Sequence, residues 1–119
     1  MSCGGEKGLI PRIWALGDRI VLDASVQQST AFEPIILGGR NAVRVNILVT
    51  KLTQFALLDV VVLGSNTGEN WSALGGTTLN GQVGAITFQV TQIAFAFVKI
   101  GARAYNGSGR YLFALDAAV

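Results

Sequence analysis

The segment VRVNILVT, residues 43–50, alternates apolar and polar side chains, and a period of two is the signature of a strand with one buried face. Leu48 is the exception on the polar side. We expect this strand to face a core, with Val60 and Val62 of a second strand also pointing inward. The predicted inward residues of the first strand are Val43, Val45, Ile47 and Val49.

Short β-prone segments recur along the chain between turn signals, at intervals of about 8 to 12 residues. The turn signals are Gly38-Gly39, Ser65-Asn66, Gly75-Gly76, Asn80-Gly81 and Asn106-Gly107. The candidate strands are 19–26, 31–37, 43–50, 55–63, 71–74, 85–91, 95–105 and 110–117. The sequence therefore predicts an all-β fold, an antiparallel β-sandwich of jelly-roll type with about eight strands and an extended N-terminal arm.

The first 18 residues differ in kind from the sandwich predicted over residues 19–119. Residues 1–8 are small, polar and glycine-rich, so on their own they are expected to be disordered. Apolar side chains then gather around Pro11. The arm either folds back over its own sandwich or lies along a neighbour, where its interface residues would be Leu9, Ile10, Arg12, Ile13 and Trp14.

The N-terminus carries no apolar segment typical of a secretory signal peptide. We therefore expect the protein in a virion, and otherwise in the cytoplasm. Cys3 is the single cysteine, so it is either an exposed thiol or a cross-link between chains.

Charge argues against nucleic acid as a partner, and the distribution of apolar residues argues against a membrane. Charged residues make up 13% of the chain, against about 25% in ordinary domains, while 50% of the residues are hydrophobic. The net charge is only +2 and the basic residues form no cluster in the sequence, so nucleic acid is not expected. No apolar run approaches the length of a membrane span, so no membrane is expected either.

The chain offers little for catalysis. It has no histidine, and its seven acidic residues show no metal-loop spacing. The segment GGTTLNG, residues 75–81, lacks the lysine of a phosphate loop and is interpreted as a turn. No catalytic residue, cofactor or metal is predicted.

A polar turn from Gly64 to Asn70 follows an apolar strand and ends on Trp71. The simplest interpretation is that Trp71 packs on the core and anchors the next strand. The alternative is a sugar-binding loop made of Asn66, Glu69, Asn70 and Trp71, supported by residues 80–84.

The run GSNTGENW, residues 64–71, resembles the S-N-D-G-x-x-W stretch of discoidin-type jelly-roll domains. Residues 97–100, Phe-Val-Lys-Ile, stand where that family has Tyr-Val-Arg-Ile. The resemblance covers residues 60–105 at most. It implies a jelly-roll fold more than the sugar or lipid binding of that family, whose ligand-binding loops have no residue-by-residue match here. Thr67 replaces the aspartate of the family, and the cysteines that bracket its domains are absent.

Two functions follow. The first is a non-enzymatic structural subunit that self-assembles or decorates a larger particle. In size and predicted fold it would be similar to the small jelly-roll decoration proteins of phage heads. Its partners would be copies of itself or a capsid or scaffold protein. The second is a carbohydrate-binding discoidin-like module, and a glycan partner is expected only in that case.

Overall fold

The computed structural model describes residues 12–119, and these residues form two stacked antiparallel sheets. The only helical element in this range is one 3-10 turn, Ala24–Val26. The predicted antiparallel sandwich is confirmed. Its strands are β1 Ile13–Asp23, β2 Ser29–Ala31, β3 Ile35–Ile36, β4 Val43–Leu52, β5 Leu57–Ser65, β6 Ser72–Asn80, β7 Gly84–Val90, β8 Phe97–Tyr105 and β9 Arg110–Ala118.

The strand pairing is nested, as in a jelly roll. The first sheet has the order β1-β9-β4-β7, and the second has β2-β8-β5-β6, with β3 also paired to β8. Pro34 lies between β2 and β3, and proline cannot donate a ladder hydrogen bond. If β2 and β3 are counted as one interrupted strand, eight strands pair from the chain ends inward, and the innermost pair is β5 with β6.

The core fills the space between the sheets and uses the alternation found in the sequence. All six residues predicted to face inward on β4 and β5 are at most 1% exposed. Tyr111 and Phe113 of β9 are the largest side chains that are fully buried. Burying each of the six aliphatic side chains on β4 and β5 contributes about 1.5 to 3 kcal/mol to the free energy of unfolding.

The pair Gly75-Gly76 lies inside β6, so the prediction of a turn at residues 75–81 is wrong. Gly76 is opposite Val61, and a Cβ on Gly76 would lie 2.5 Å from the carbonyl oxygen of Val60. Glycine is needed there because β6 approaches the β5 backbone closely, beside an irregularity in register between Val62 and Leu63.

The predicted boundary at residue 18 falls within β1. Ile13, Trp14, Ala15 and Gly17 already pair with β9, and the register is irregular between Ala15 and Gly17 and again between Gly17 and Ile20. The pairing extends to Arg12, whose amide donates to the Val119 carbonyl (3.0 Å) and whose carbonyl accepts from the Val119 amide (2.9 Å). The C-terminal part of the predicted arm therefore belongs to the first sheet, while Leu9 and Ile10 lie outside the described residues.

Candidate functional site

The loop between β5 and β6, residues 66–71, is held by its own side chains. Ser65 is buried, and its Oγ accepts hydrogen bonds from the amides of Thr67 (3.2 Å) and Gly68 (2.9 Å). The hydroxyl of Thr67 accepts from the amide of Glu69 (3.2 Å). This local bonding explains the turn chemistry seen in the sequence.

The four residues of the predicted sugar loop lie together, but they are not equally available. The Asn66 Oδ1 accepts a hydrogen bond from the amide of Ala96 (3.0 Å), so this side chain ties the loop to the segment before β8. Glu69 and Asn70 are exposed, while Trp71 is half-buried. Within residues 12–119, Glu69 and Asn70 are therefore the members of the set whose side chains face solvent without a hydrogen bond to the rest of the protein.

Trp71 lies outside the core, so the prediction that it packs there is wrong. The Lys99 Nζ lies 4.4 Å from the centroid of the Trp71 ring. Lys99 faces outward because its neighbours Val98 and Ile100 on β8 are buried on the inward face. The ammonium therefore covers ring area that a sugar would need for stacking.

We expect the substitution Trp71→Ala to lower the free energy of unfolding by only about 1 kcal/mol, the value of a partly exposed cation–π contact. The matched control is Phe113→Ala, which truncates a fully buried aromatic side chain and should cost about 3 to 5 kcal/mol. Thermal unfolding of both variants measures the difference. Equal losses in the two variants would show that Trp71 is a core residue after all.

The two segments predicted to share a sugar, residues 65–71 and 80–84, lie at opposite ends of the sandwich. They precede and follow the nine-residue strand β6. At about 3.3 Å per residue they are separated by about 30 Å, so they do not form one site.

The predicted interface residues that the structure describes lie at the start of β1. Ile13 is opposite Ala118 and is 72% exposed, and Trp14 is 39% exposed. Arg12 is exposed, and its guanidinium lies close to Gly38 in the loop before β4. These residues are at the same end of the sandwich as residues 65–71, but β1 and β6 are at opposite edges.

Two arginines also lie close together at this end of the sandwich. Arg40 and Arg44 line one open groove of about 390 Å³, together with Asn41 and Gln89. Gln89 is the cross-strand partner of Arg44 on β7. The position of Gln89 beside Arg44 depends on the β4–β7 register, which the sequence alone does not give.

A second groove, of about 460 Å³, lies on the outer face of the second sheet. Two neighbouring rows of residues cross the strands there. The first row is polar and consists of Ser29, Arg103, Asp59 and Thr78, from β2, β8, β5 and β6. The second row is small and apolar and consists of Ala31, Gly101, Val61 and Gly76.

Asp59 is held in place by two hydroxyl groups. Its Oδ1 accepts hydrogen bonds from Thr78 Oγ1 (2.6 Å) and from the Tyr105 hydroxyl (3.1 Å). Burial raises the pKa of Tyr105, and its hydrogen bond to Asp59 adds to that effect, so Tyr105 stays a neutral donor. The guanidinium of Arg103 lies 4.4 Å from the centroid of the Tyr105 ring.

The described residues contain no cluster of three acidic, histidine or cysteine side chains that could hold a metal ion. No helix within residues 12–119 is long and apolar enough to cross a membrane.

No protein-family model matches the chain, and no curated protein matches its sequence. Solved structures do match its fold. The prophage-derived protein YomS of SPBc2 is 9% identical with a TM-score of 0.54, over 93% of this chain and 96% of that one. A chain of the Triatoma virus empty capsid is 8% identical with a TM-score of 0.58, over 89% and 86%. The likeness is one of fold.

The C-terminal CBM6 of LamC, a marine laminarinase from Zobellia galactanivorans, is 10% identical with a TM-score of 0.56. It is covered over its full length, and 91% of this chain is matched. The neighbours thus include viral structural proteins and a binding module, and at these identities they establish the jelly-roll fold and nothing finer.

Proposed function

We propose that this protein is a non-enzymatic structural subunit that assembles with copies of itself, or decorates a larger particle, in a virion. Its partners are other copies of the chain or a capsid or scaffold protein. The observation that carries the proposal is an apolar patch on the outer face of the first sheet. Its members are Val21, Leu48, Ala85, Leu112 and Ala114.

The patch is contiguous because its members are cross-strand neighbours. Leu48 of β4 is opposite Ala85 on β7 and Ala114 on β9, and Leu112 is opposite Val21 on β1. Leu48 is 48% exposed in the middle of β4, and Val21 is 52% exposed near the end of β1. An outward sheet face of a monomer usually carries polar side chains, and apolar patches of this kind are typical of protein contacts.

Fold and composition support the same function. Jelly-roll structures of similar extent include a prophage-derived protein and a viral capsid chain. The low proportion of charged residues leaves much of the surface suited to contacts with other subunits. The predicted contribution of Leu9, Ile10, Arg12, Ile13 and Trp14 to subunit contact stays a prediction.

We expect the substitution Leu48→Lys to shift the protein toward smaller species in sedimentation velocity experiments, because it places a charge at the centre of the apolar patch. The matched control is Val83→Lys, at an exposed valine in the loop between β6 and β7. Circular dichroism of both variants checks that the sandwich is retained.

A wild-type protein that sediments as a monomer at all concentrations, and does not bind to particles lacking it, would contradict the proposal. An unchanged oligomer in Leu48→Lys would show that subunits associate through another surface.

The alternative function, carbohydrate binding by the loop of residues 66–71, has less support. Asn66 is engaged with the amide of Ala96, and Lys99 covers the Trp71 ring. The second predicted loop lies at the other end of the sandwich.

A further inference from the structure

We infer that the groove on the outer face of the second sheet is a binding site for a short neutral oligosaccharide, which lies across strands β2, β8 and β5 and extends toward β6. This site is distinct from residues 66–71 and does not depend on the proposed role in assembly. We call it the sheet-face groove, and its lining includes Thr30, Asp59, Val61, Gly101, Ala102 and Arg103.

The first argument is a pair of opposite charges that do not neutralise each other. Asp59 and Arg103 are direct cross-strand partners on β5 and β8. Side chains in such positions lie close enough to form an ion pair. Yet within residues 12–119 Arg103 makes no ion pair or hydrogen bond, and its guanidinium lies over the Tyr105 ring instead. A carboxylate and a guanidinium thus face one groove with bonding capacity left for a third group.

The second argument is that this pair is pre-organised. Thr78 and Tyr105 both donate to Oδ1 of Asp59, which fixes the carboxylate, while Oδ2 accepts nothing from the described residues. The ring of Tyr105 also supports Arg103. Fixed polar groups lose little conformational entropy when a ligand binds, which is what a binding site requires.

The third argument is the shape beside the polar row. Val61 has a glycine on each side, Gly101 on β8 and Gly76 on β6. This row therefore forms a low apolar floor. The part of the row that lines the groove, from Ala31 to Val61, spans two inter-strand spacings, about 10 Å, and Gly76 continues the row beyond it. This shape suits an extended ligand better than a single small ring.

These features together define the class of ligand. A vicinal diol can donate one hydroxyl to the Asp59 carboxylate and accept a hydrogen bond from Arg103 with the other. The C–H face of a pyranose ring can then lie on the apolar floor. The groove presents one charge of each sign, so it has no preference for an anionic or cationic chain, and a neutral saccharide fits best.

The test uses the full chain labelled with ¹⁵N and three neutral probes, maltohexaose, cellohexaose and laminarihexaose, each titrated in NMR experiments. We expect at least one probe to shift the amide signals of Thr30, Val61, Gly101 and Ala102. Arg103→Gln and Asp59→Asn should each weaken that probe's binding about tenfold or more, the loss typical of one charged hydrogen bond. The control is Arg44→Gln, an exposed arginine on the outer face of the other sheet, which should bind like wild type.

A third variant tests the floor without touching a polar group. At Gly101 a Cβ would lie 3.6 Å from Val61 and 3.7 Å from the Thr30 carbonyl oxygen, which are ordinary contacts. Gly101→Ala should therefore fold normally and still weaken probe binding by raising the floor of the groove.

Three outcomes would overturn the inference. The first is that none of the probes shifts any amide signal. The second is that the shifts map to residues 66–71. The third is that the groove amides shift on dilution without any probe. The last result would assign the groove to contact between copies of the chain. The first two outcomes leave the sedimentation test unaffected, so failure of the site and failure of the assembly role are separable. The third would support assembly but place the contact at the groove, and an unchanged oligomer in Leu48→Lys would then be expected.

Discussion

Replacing Val45 with aspartate should leave the chain unable to fold. Val45 is fully buried on β4, with Phe88 of β7 and Ala117 of β9 as its cross-strand partners. An unpaired carboxylate at this point would cost several kcal/mol, and the valine contacts would be lost as well. A domain of this size is stable by only about 5 to 15 kcal/mol, so the substitution removes most or all of that stability.

The measurement is circular dichroism together with the dispersion of amide signals in an NMR spectrum. The matched control is Thr50→Asp, which places the same carboxylate at an exposed position of the same strand. We expect the control to fold like wild type. A folded Val45→Asp protein would mean that the first sheet does not bury this face.

The local pattern of the sequence was enough to predict β4 and β5. Alternation of Val43, Val45 and Ile47 with polar residues indicates both the strand and its buried face, because a period of two belongs to strands alone. A helix offers no face that would bury all of these residues together. Val60 and Val62 lie instead in the uninterrupted apolar run 60–63, which indicates a strand but does not by itself give its inward face. The predicted inward residues of both strands are buried.

Glycine was the main source of error. A glycine pair favours a turn when only the local sequence is considered. At Gly76 it instead allows two strands to approach, which depends on the position of the Val60 carbonyl on a strand distant in sequence. The start of β1 was missed for a related reason: its partner β9 lies about 100 residues away, and two irregularities break its alternation.

The sheet-face groove lies beyond what the sequence could predict. Asp59 and Arg103 are 44 positions apart, and only the β5–β8 register places them opposite each other. The sequence instead suggested residues 66–71, because Asn66, Glu69 and Trp71 are adjacent in the chain. Residues close together in the sequence indicated the turn at 66–71. The polar site at Asp59 and Arg103, which is better organised, arises only from the pairing of β5 with β8.

Replacing Tyr111 with alanine should lower the free energy of unfolding by about 3 to 5 kcal/mol, the second large effect that we expect. Tyr111 is fully buried on β9. Its hydroxyl donates to the Ala56 carbonyl (2.5 Å) and accepts from the Gly81 amide (3.2 Å). It therefore joins the β4–β5 connection to the β6–β7 connection, at the end of the sandwich opposite residues 66–71.

Tyr111→Phe separates the hydroxyl from the ring. We expect it to cost about 1 to 3 kcal/mol, because the buried Ala56 carbonyl and the half-buried Gly81 amide each lose a partner. The control is Tyr105→Phe, at the other tyrosine of the chain, whose hydroxyl bonds to Asp59 on the sheet surface and should matter less for stability.

Burial also raises the pKa of Tyr111. Its contribution to stability should therefore be complete below about pH 10 and decrease as the pH rises through the raised pKa. Urea unfolding of the three proteins at neutral and alkaline pH measures both effects, and equal stability of Tyr111→Phe and Tyr105→Phe would contradict this role for the hydroxyl.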